Sequence, residues 1–411
     1  MQIRSIQTEE EIRQVADLSA KVFRGGDALF AFQDRFERSH VPGPNYVREY
    51  SRVVEEDGKV VAHVRIVDHP MRIGSAVVRM GGISGVFTHP AYRKRGYAQA
   101  LMRDALAYMR SHDFDVSMLF GVPNLYPQFG YSVCLNRFSI KMAAQEAMAC
   151  EASGSVRKMK PEELSQAADM YAKDNAHRTG SVVRSEAFWR MDRRGAPWSW
   201  PHVDLNEWYA VCDAADKMLG YFCVRAGKAL TLYEVAGGDD VVFATILHHL
   251  GERAQAAFLG EISLILPPDA PMAQHCLEQN ATLSIAYHKN GDGMMRILNL
   301  EGLFGKIKTT LNARLQISAH KDWQETFTLR TDIGALKVAI REGELETFPA
   351  DNPTRQIVEM PQSQLIQLVV GYAHPERVLT RPNVSLPEAW IGPLCALFPK
   401  QIPFIWENDG F

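Results

Sequence analysis

Apolar positions along the chain recur with two rhythms, one alternating and one near 3.6 residues, and these rhythms predict the elements. Residues 3–6 read as a short strand, and 9–23 as a helix whose apolar stripe is Ile12, Val15, Ala16, Ala20 and Val22. Alternating runs over 51–67, turning at Glu56-Asp57-Gly58, predict a β-hairpin. Residues 76–88 supply two more extended runs, broken near Gly81-Gly82. An amphipathic helix over 95–111 buries Ala98, Leu101, Met102, Ala105, Leu106 and Met109. Residues 116–121 form a fully apolar strand, and 133–141 another.

A second stretch, 155–300, repeats much of this order without repeating the sequence. Helical patterns at 161–173 and 185–192 precede a hairpin at 208–212 and 218–224. A strand at 229–235 leads into a helix at 239–258, and strands at 261–266 and 283–288 follow. The last stretch has extended runs at 314–319, 325–330 and 335–341, then helices at 362–370 and 387–397. The division expected is therefore three domains, 1–150, 151–300 and 301–411. No connection is rich in Pro or Ser, so the three should pack firmly.

Composition excludes more than it selects. With 46% hydrophobic and 23% charged residues the chain is ordinary globular material, and a net charge of −3 advertises no nucleic-acid partner. Lys306, Lys308 and Arg314 make a thin basic cluster, a solvated face or at most a phosphate contact. The six cysteines, Cys134, Cys150, Cys212, Cys223, Cys276 and Cys395, are scattered without C-x-x-C or a histidine at metal-ligand spacing. Such use predicts buried free thiols, no metal and a reducing compartment. Residues 1–15 carry acids and no apolar core of a signal peptide, and no run approaches the roughly 20 apolar residues of a membrane span. The expected location is the cytoplasm.

The chemistry concentrates in residues 84–101, SGVFTHPAYRKRGYAQAL. A strand ends at Val86-Phe87-Thr88, a turn containing Pro90 follows, and Arg93-Lys94-Arg95-Gly96-Tyr97-Ala98 opens the long helix. A helix start presents unpaired N–H groups and the positive end of the macrodipole, both favourable to phosphate. Gly96 and Ala98 keep bulk away from that backbone, while the three cations add donors. This is neither G-x-G-x-x-G nor a P-loop. It resembles the [QR]-x-x-G-x-[GA] signature of the GNAT superfamily of N-acetyltransferases, filled by Arg93, Gly96 and Ala98. The resemblance implies a coenzyme A site at this turn, with the backbone of Val86, Phe87 and Thr88 holding the pantetheine arm. Downstream, Asn124-Leu125-Tyr126-Pro127-Gln128-Phe129-Gly130-Tyr131 is similar to the Y-x-x-x-G-[FY] that follows the fifth strand of that superfamily. On its position alone Tyr126 is equally a core tyrosine and an acid for a departing thiolate. Paired with the upstream motif, the resemblance implies the acid, with Gly121 and Asn124 beside the cofactor.

A neutral amine must also shed a proton. The fourth strand, 82–88, contains no carboxylate to take it. The three-part layout together with both motifs resembles the Eis-like branch of the superfamily. The fold class so implied is α/β (α+β): tandem GNAT-fold domains with mixed central sheets, plus a C-terminal sterol-carrier-like domain. The resemblance further implies a general base in the α-carboxylate of the last residue, Phe411, whose tail Pro403-Phe404-Ile405-Trp406 is too apolar to hang in solvent. It also implies a hexamer. Around the 239–258 helix start, Ala236-Gly237-Gly238-Asp239-Asp240 offers two carboxylates, good caps that repel a diphosphate. The second domain is thus expected to be degenerate. Asp27 is either an acceptor-binding carboxylate or a helix cap, and Glu407 and Asp409 invite the same two readings; Trp198 and Trp200, beside Pro197 and Pro201, either line a pocket or belong to a core or interface.

The expected activity is transfer of an acetyl group from acetyl-CoA to a primary amine: a polyamine, an aminoglycoside-like acceptor or a lysine. The alternative is a non-catalytic regulator that binds acyl-CoA or lipid.

Overall fold

The structure, a computed structural model, describes residues 2–23, 37, 39–191, 207–227, 229–351 and 354–411. Asp27, Trp198 and Trp200 lie outside the described residues.

Three sheets carry the chain. The strands that open the first are β1 (Gln2–Ser5), β2 (Ser51–Glu56), β3 (Lys59–Ile73), β4 (Ala76–Thr88), β5 (Val116–Gly121) and β6 (Ser132–Val133). Next come β7 (Arg137–Ala143), β8 (Ser155–Lys158), β9 (Trp208–Cys212), β10 (Met218–Ala226), β11 (Leu230–Gly237), β12 (Glu261–Leu264), β13 (Thr282–Ala286) and β14 (Asp292–Ile297). The first sheet runs β1-β2-β3-β4-β5-β14-β6 and the second, in matching direction, β8-β9-β10-β11-β12-β7-β13. The two orders correspond strand for strand, and each sheet takes its penultimate strand from the sequence region of the other. Arg137 Nε donates to Asp292 Oδ2 at 2.5 Å, so the leading residues of the two exchanged strands are joined.

Three of the places where sequence patterns and elements diverge bear on the site or the sheets. Residues 76–88 form one unbroken strand through Gly81-Gly82. The glycines make room instead of breaking the run: a Cβ on Gly81 would overlap Met109, and one on Gly82 would come within 2.6 Å of the Phe411 ring. Residues 133–141 split between β6 and β7, which lie in different sheets. Residues 314–319 are not extended, because the helix Leu300–Gln316 continues the 3.6-residue spacing of Leu303, Ile307, Leu311 and Leu315.

The first sheet is covered on both faces. Helix Tyr97–Ser111 buries Leu101, Met102, Ala105 and Met109 against Val64, Ile66 and Leu119. On the opposite face Leu303, Phe304, Ile307 and Leu311 pack with Met80, Val116 and Met118. That same core continues into the third sheet, formed by β15 (Glu325–Thr331), β16 (Gly334–Arg341), β17 (Glu344–Pro349) and β18 (Ile357–Glu359) in the order β17-β16-β15-β18. Apolar burial of this kind, roughly 25 cal/mol per Å², makes the third unit a structural wall of the first. No helix among the described residues is long and apolar enough to cross a membrane.

Candidate active site

β4 and β5 run parallel and are paired only from Met80–Val116 to Ile83–Leu119. Beyond that point they part. On its other side β4 pairs with β3 as Arg65–Ser84 and then His63–Phe87, so Gly85 and Val86 together oppose Val64. This is a β-bulge, and it frees their backbone polar groups from the ladder. Gly85 adopts φ 56°, and its carbonyl accepts from His63 Nδ1 at 2.9 Å. His63 also stacks on Phe87, with ring centroids 5.0 Å apart. Burial holds His63 neutral, its pKa pushed down to about 3.

The parting opens a cleft of about 990 Å³. Ser84 to Thr88 form one wall; Phe120, Val122, Leu125 and Tyr126 form another. Arg93, Lys94 and Gly96 to Gln99 close its far end. There Lys94 (φ 63°) and Gly96 (φ 82°) both take left-handed conformations, which turn the chain sharply into the helix. Gly96 is the N-cap and supplies no side-chain cap. The first-turn N–H groups of Tyr97, Ala98 and Gln99 therefore face the cleft end with the helix dipole behind them. Open space surrounds the position a Gly96 side chain would take. These features fit a diphosphate.

The cations divide. Arg93 Nε donates to Thr88 O at 3.4 Å, and Lys94 forms no salt bridge among the described residues. Arg95 is drawn aside, 3.2 Å from Glu56, which also accepts from the Tyr97 hydroxyl. Two other expected cofactor residues stand off the cleft wall. Asn124 bonds Asn290 through both backbone and side chain. Gly121 serves Tyr126 instead, since a Cβ there would overlap the Tyr126 ring.

Tyr126 sits at the mouth of the 3₁₀ turn Pro127–Phe129, and Gly130 (φ 78°) ends that turn. It is 7% exposed, and its hydroxyl makes no hydrogen bond among the described residues. Burial raises its pKa, so the phenol keeps its proton at neutral pH. Tyr131, by contrast, is tied to Ser117 Oγ at 2.7 Å and is a core residue. Phe411 enters the same cleft from the opposite side. Its ring lies on Gly82, 5.8 Å from the Phe120 ring and 6.0 Å from His69. Gly82 thus explains how a bulky last residue reaches the strand.

Phe411 and Phe120 also line a second cavity of about 580 Å³. It lies on the face of the second sheet, with hydroxyls from Ser139, Thr231, Ser263 and Ser284. Glu407, exposed and without a salt bridge among the described residues, lines it beside the chain end, whereas Asp409 is buried elsewhere. Sequence reasoning missed Phe120, Leu125 and Gln99 as wall residues. Their only signal was position, next to the parting or one turn into the helix. The described residues contain no group of three or more His, Cys, Asp or Glu able to hold a metal.

Comparison with known proteins agrees with this geometry. Residues 2–134 match the family described as acetyltransferase (GNAT) domain. No curated protein matches the sequence. Among solved structures, a probable N-acyltransferase from Enterococcus faecalis is similar over 100% of this chain and 99% of its own, with TM-score 0.76 and 16% identity. A GCN5-related N-acetyltransferase from Kribbella flavida covers 100% and 98%, with TM-score 0.73 and 19% identity. Eis1 from Mycobacterium abscessus covers 100% of both chains, with TM-score 0.65 and 15% identity. At such identities the structural likeness carries the fold, a chain-long mixed α/β architecture of GNAT type. The acetyltransferase (GNAT) domain matched at residues 2–134, together with the chain-long fold, supports an acyltransferase enzyme.

Proposed function

We propose that the protein acetylates primary amines, with acetyl-CoA bound between β4 and β5 and the amine entering from the second cavity. The observation that carries this reading is the shared wall: Tyr126 and Phe411 line one cleft that ends at the Gly96 turn. Acetyl-CoA, when bound, supplies the activated thioester. The amine nitrogen forms a bond to the acyl carbon as the carbon–sulfur bond breaks. Tyr126, kept protonated by burial, gives its proton to the departing sulfur. The Phe411 carboxylate receives the proton the amine loses. Backbone groups freed at the Gly85-Val86 bulge orient the thioester.

The acceptor class follows from the second cavity. Glu407 offers a carboxylate near the chain end, amid hydroxyls and the apolar walls of Phe138 and Phe404. That lining supports a small polyamine or aminoglycoside-like molecule over a protein lysine. The lipid-carrier alternative gains little support, because the interior space of the third unit, enclosed by residues such as Phe304, Phe398 and Leu365, is only about 20 Å³. That is room for about one water and far short of the roughly 300 Å³ or more of an ordinary small-molecule pocket. The test is release of free thiol from acetyl-CoA with a panel of amines, with the products identified by mass spectrometry. Turnover with polyamines supports the reading. Tight acetyl-CoA binding without turnover on any amine would turn the protein into a sensor.

A further inference from the structure

Asp409, two residues before the chain end, is held in a buried cluster far from any surface role. Arg184 Nε donates to Asp409 Oδ1 at 2.7 Å, and its two terminal nitrogens donate to Glu234 Oε1 and Oε2 at 2.7 and 2.6 Å. The three side chains are at most 1% exposed. Tyr171 donates to Asp409 Oδ2 at 2.9 Å, Tyr221 to Glu234 Oε1 at 2.8 Å, and Asn408 to Glu234 Oε2 at 2.7 Å. The Arg184 guanidinium lies 3.8 Å from the centre of the Tyr171 ring. One cation faces two carboxylates, and the surplus negative charge is met by neutral donors. Buried charges persist only when engaged in this way.

The location of the cluster gives it meaning. Glu234 stands on β11 just past Leu232, the last residue paired with β12. In the first sheet the corresponding parting opens the cofactor cleft. In the second sheet the tail reaches β11 at this point, through Asn408 Nδ2 donating to Glu234 Oε2 at 2.7 Å, and is fastened nearby by Trp406 Nε1 donating to Asn175 Oδ1 at 2.8 Å and Phe404 N to Thr179 O at 2.9 Å. The segment carrying Arg184 is also fastened to β3, since Val183 N donates to Pro70 O at 2.7 Å. β3 carries His69, against which the Phe411 ring lies. Arg184 thus connects the first sheet, the second sheet and the tail.

We propose that Arg184, braced by Glu234, is a positioning residue that fixes Asp409 and through it the Phe411 carboxylate at the acyl end of the cleft. This rests on the reading of that carboxylate as proton acceptor. Only Gly410 separates Asp409 from Phe411, a reach of about 7 Å, so fixing Asp409 leaves the terminus little freedom. On this view the degenerate unit uses its fourth-strand carboxylate, Glu234, to hold the catalytic end of the chain.

The test uses the full-length protein and three variants: Asp409→Leu, Asp409→Asn and a chain extended by one glycine after Phe411. Asp409→Leu is expected to lose about tenfold or more in kcat, the scale of a displaced reacting group, with the Kd for acetyl-CoA unchanged. Asp409→Asn should recover most of the loss, because its amide oxygen still accepts from Arg184. Carboxypeptidase should release Phe411 at least about tenfold faster from Asp409→Leu than from the wild type, a readout independent of turnover. Wild-type kcat and release rate in Asp409→Leu, beside an inactive extended chain, overturn the clamp and leave the terminal base standing. Full activity in the extended chain overturns the terminal base, and the clamp's catalytic role with it. If Asp409→Leu does not fold, Tyr171→Phe removes one bond to the same carboxylate. A several-fold loss of kcat at unchanged Kd then supports the clamp, and unchanged kcat and release overturn it.

Discussion

The first and second sheets share one strand order and differ at the turn that follows the fourth strand. In the first, Gly96 caps the helix without a side-chain bond, leaving N–H groups and nearby cations facing open space. In the second, Asp239 accepts from Val242 N at 3.2 Å, so a carboxylate already occupies the place an anion would take. After the fifth strand the first sheet has Tyr126, whereas the second continues through Pro267-Pro268-Asp269. On the proposed reading one fold supports a cofactor cradle in one sheet and, where a carboxylate fills the helix start, none in the other.

Breaking that difference should be easiest at the chemistry. Tyr126→Phe is expected to lower kcat by about 100-fold, with acetyl-CoA affinity and melting temperature unchanged, because only the transferable proton is removed. Gly96→Asp places a carboxylate at the helix start of the first sheet, as the second sheet has. The left-handed backbone tolerates Asp, so the expected result is a folded protein with acetyl-CoA affinity reduced about tenfold or more in calorimetry.

Acid should separate the two units next. His63 and His69 in the first have pKa values pushed by burial to about 3 and about 4, below the ordinary 6.5. Their contribution is complete above pH 6.5 and falls as the pH drops towards those values, because the unfolded chain takes up protons first. Each contributes a slope of up to about 1.4 kcal/mol per pH unit. In the second unit His249, at about 4, acts in the same sense. Asp409, raised by burial, acts in the opposite sense: the folded chain takes up its proton first, so acid favours folding there. Hydrogen exchange at pH 5 against pH 7 should therefore show greater loss of protection in β3 and β4 than in β10 and β11. The smallest effect is expected from Asp239→Ala, about 1 kcal/mol of stability from the lost cap, with acetyl-CoA affinity unchanged.

What could be read from the sequence was what is local. The Gly96 turn, the helix it opens and Tyr126 are contiguous patterns whose chemistry follows from a few neighbouring residues. The apolar tail was legible as a docked segment for the same reason. The strand exchange was not, because β14 pairs with β5 across about 175 residues and its Asp-Gly-Met-Met-Arg-Ile run lacks clear alternation. Nor was the clamp: Arg184 and Asp409 are polar residues in polar-looking stretches, and only their convergence on Glu234 buries them. Gly81-Gly82 misled in a different way. Glycines that read as a break are there to admit Met109 and Phe411, a demand set by neighbours distant in sequence.

The central claim is that one cofactor cradle exists per chain and lies at the Gly96 turn. Titration calorimetry with coenzyme A tests it most directly, comparing wild type, Gly96→Asp and Asp239→Ala. One site per chain, severely weakened in Gly96→Asp and intact in Asp239→Ala, is the predicted result. Two sites per chain, or full affinity in folded Gly96→Asp, would contradict it.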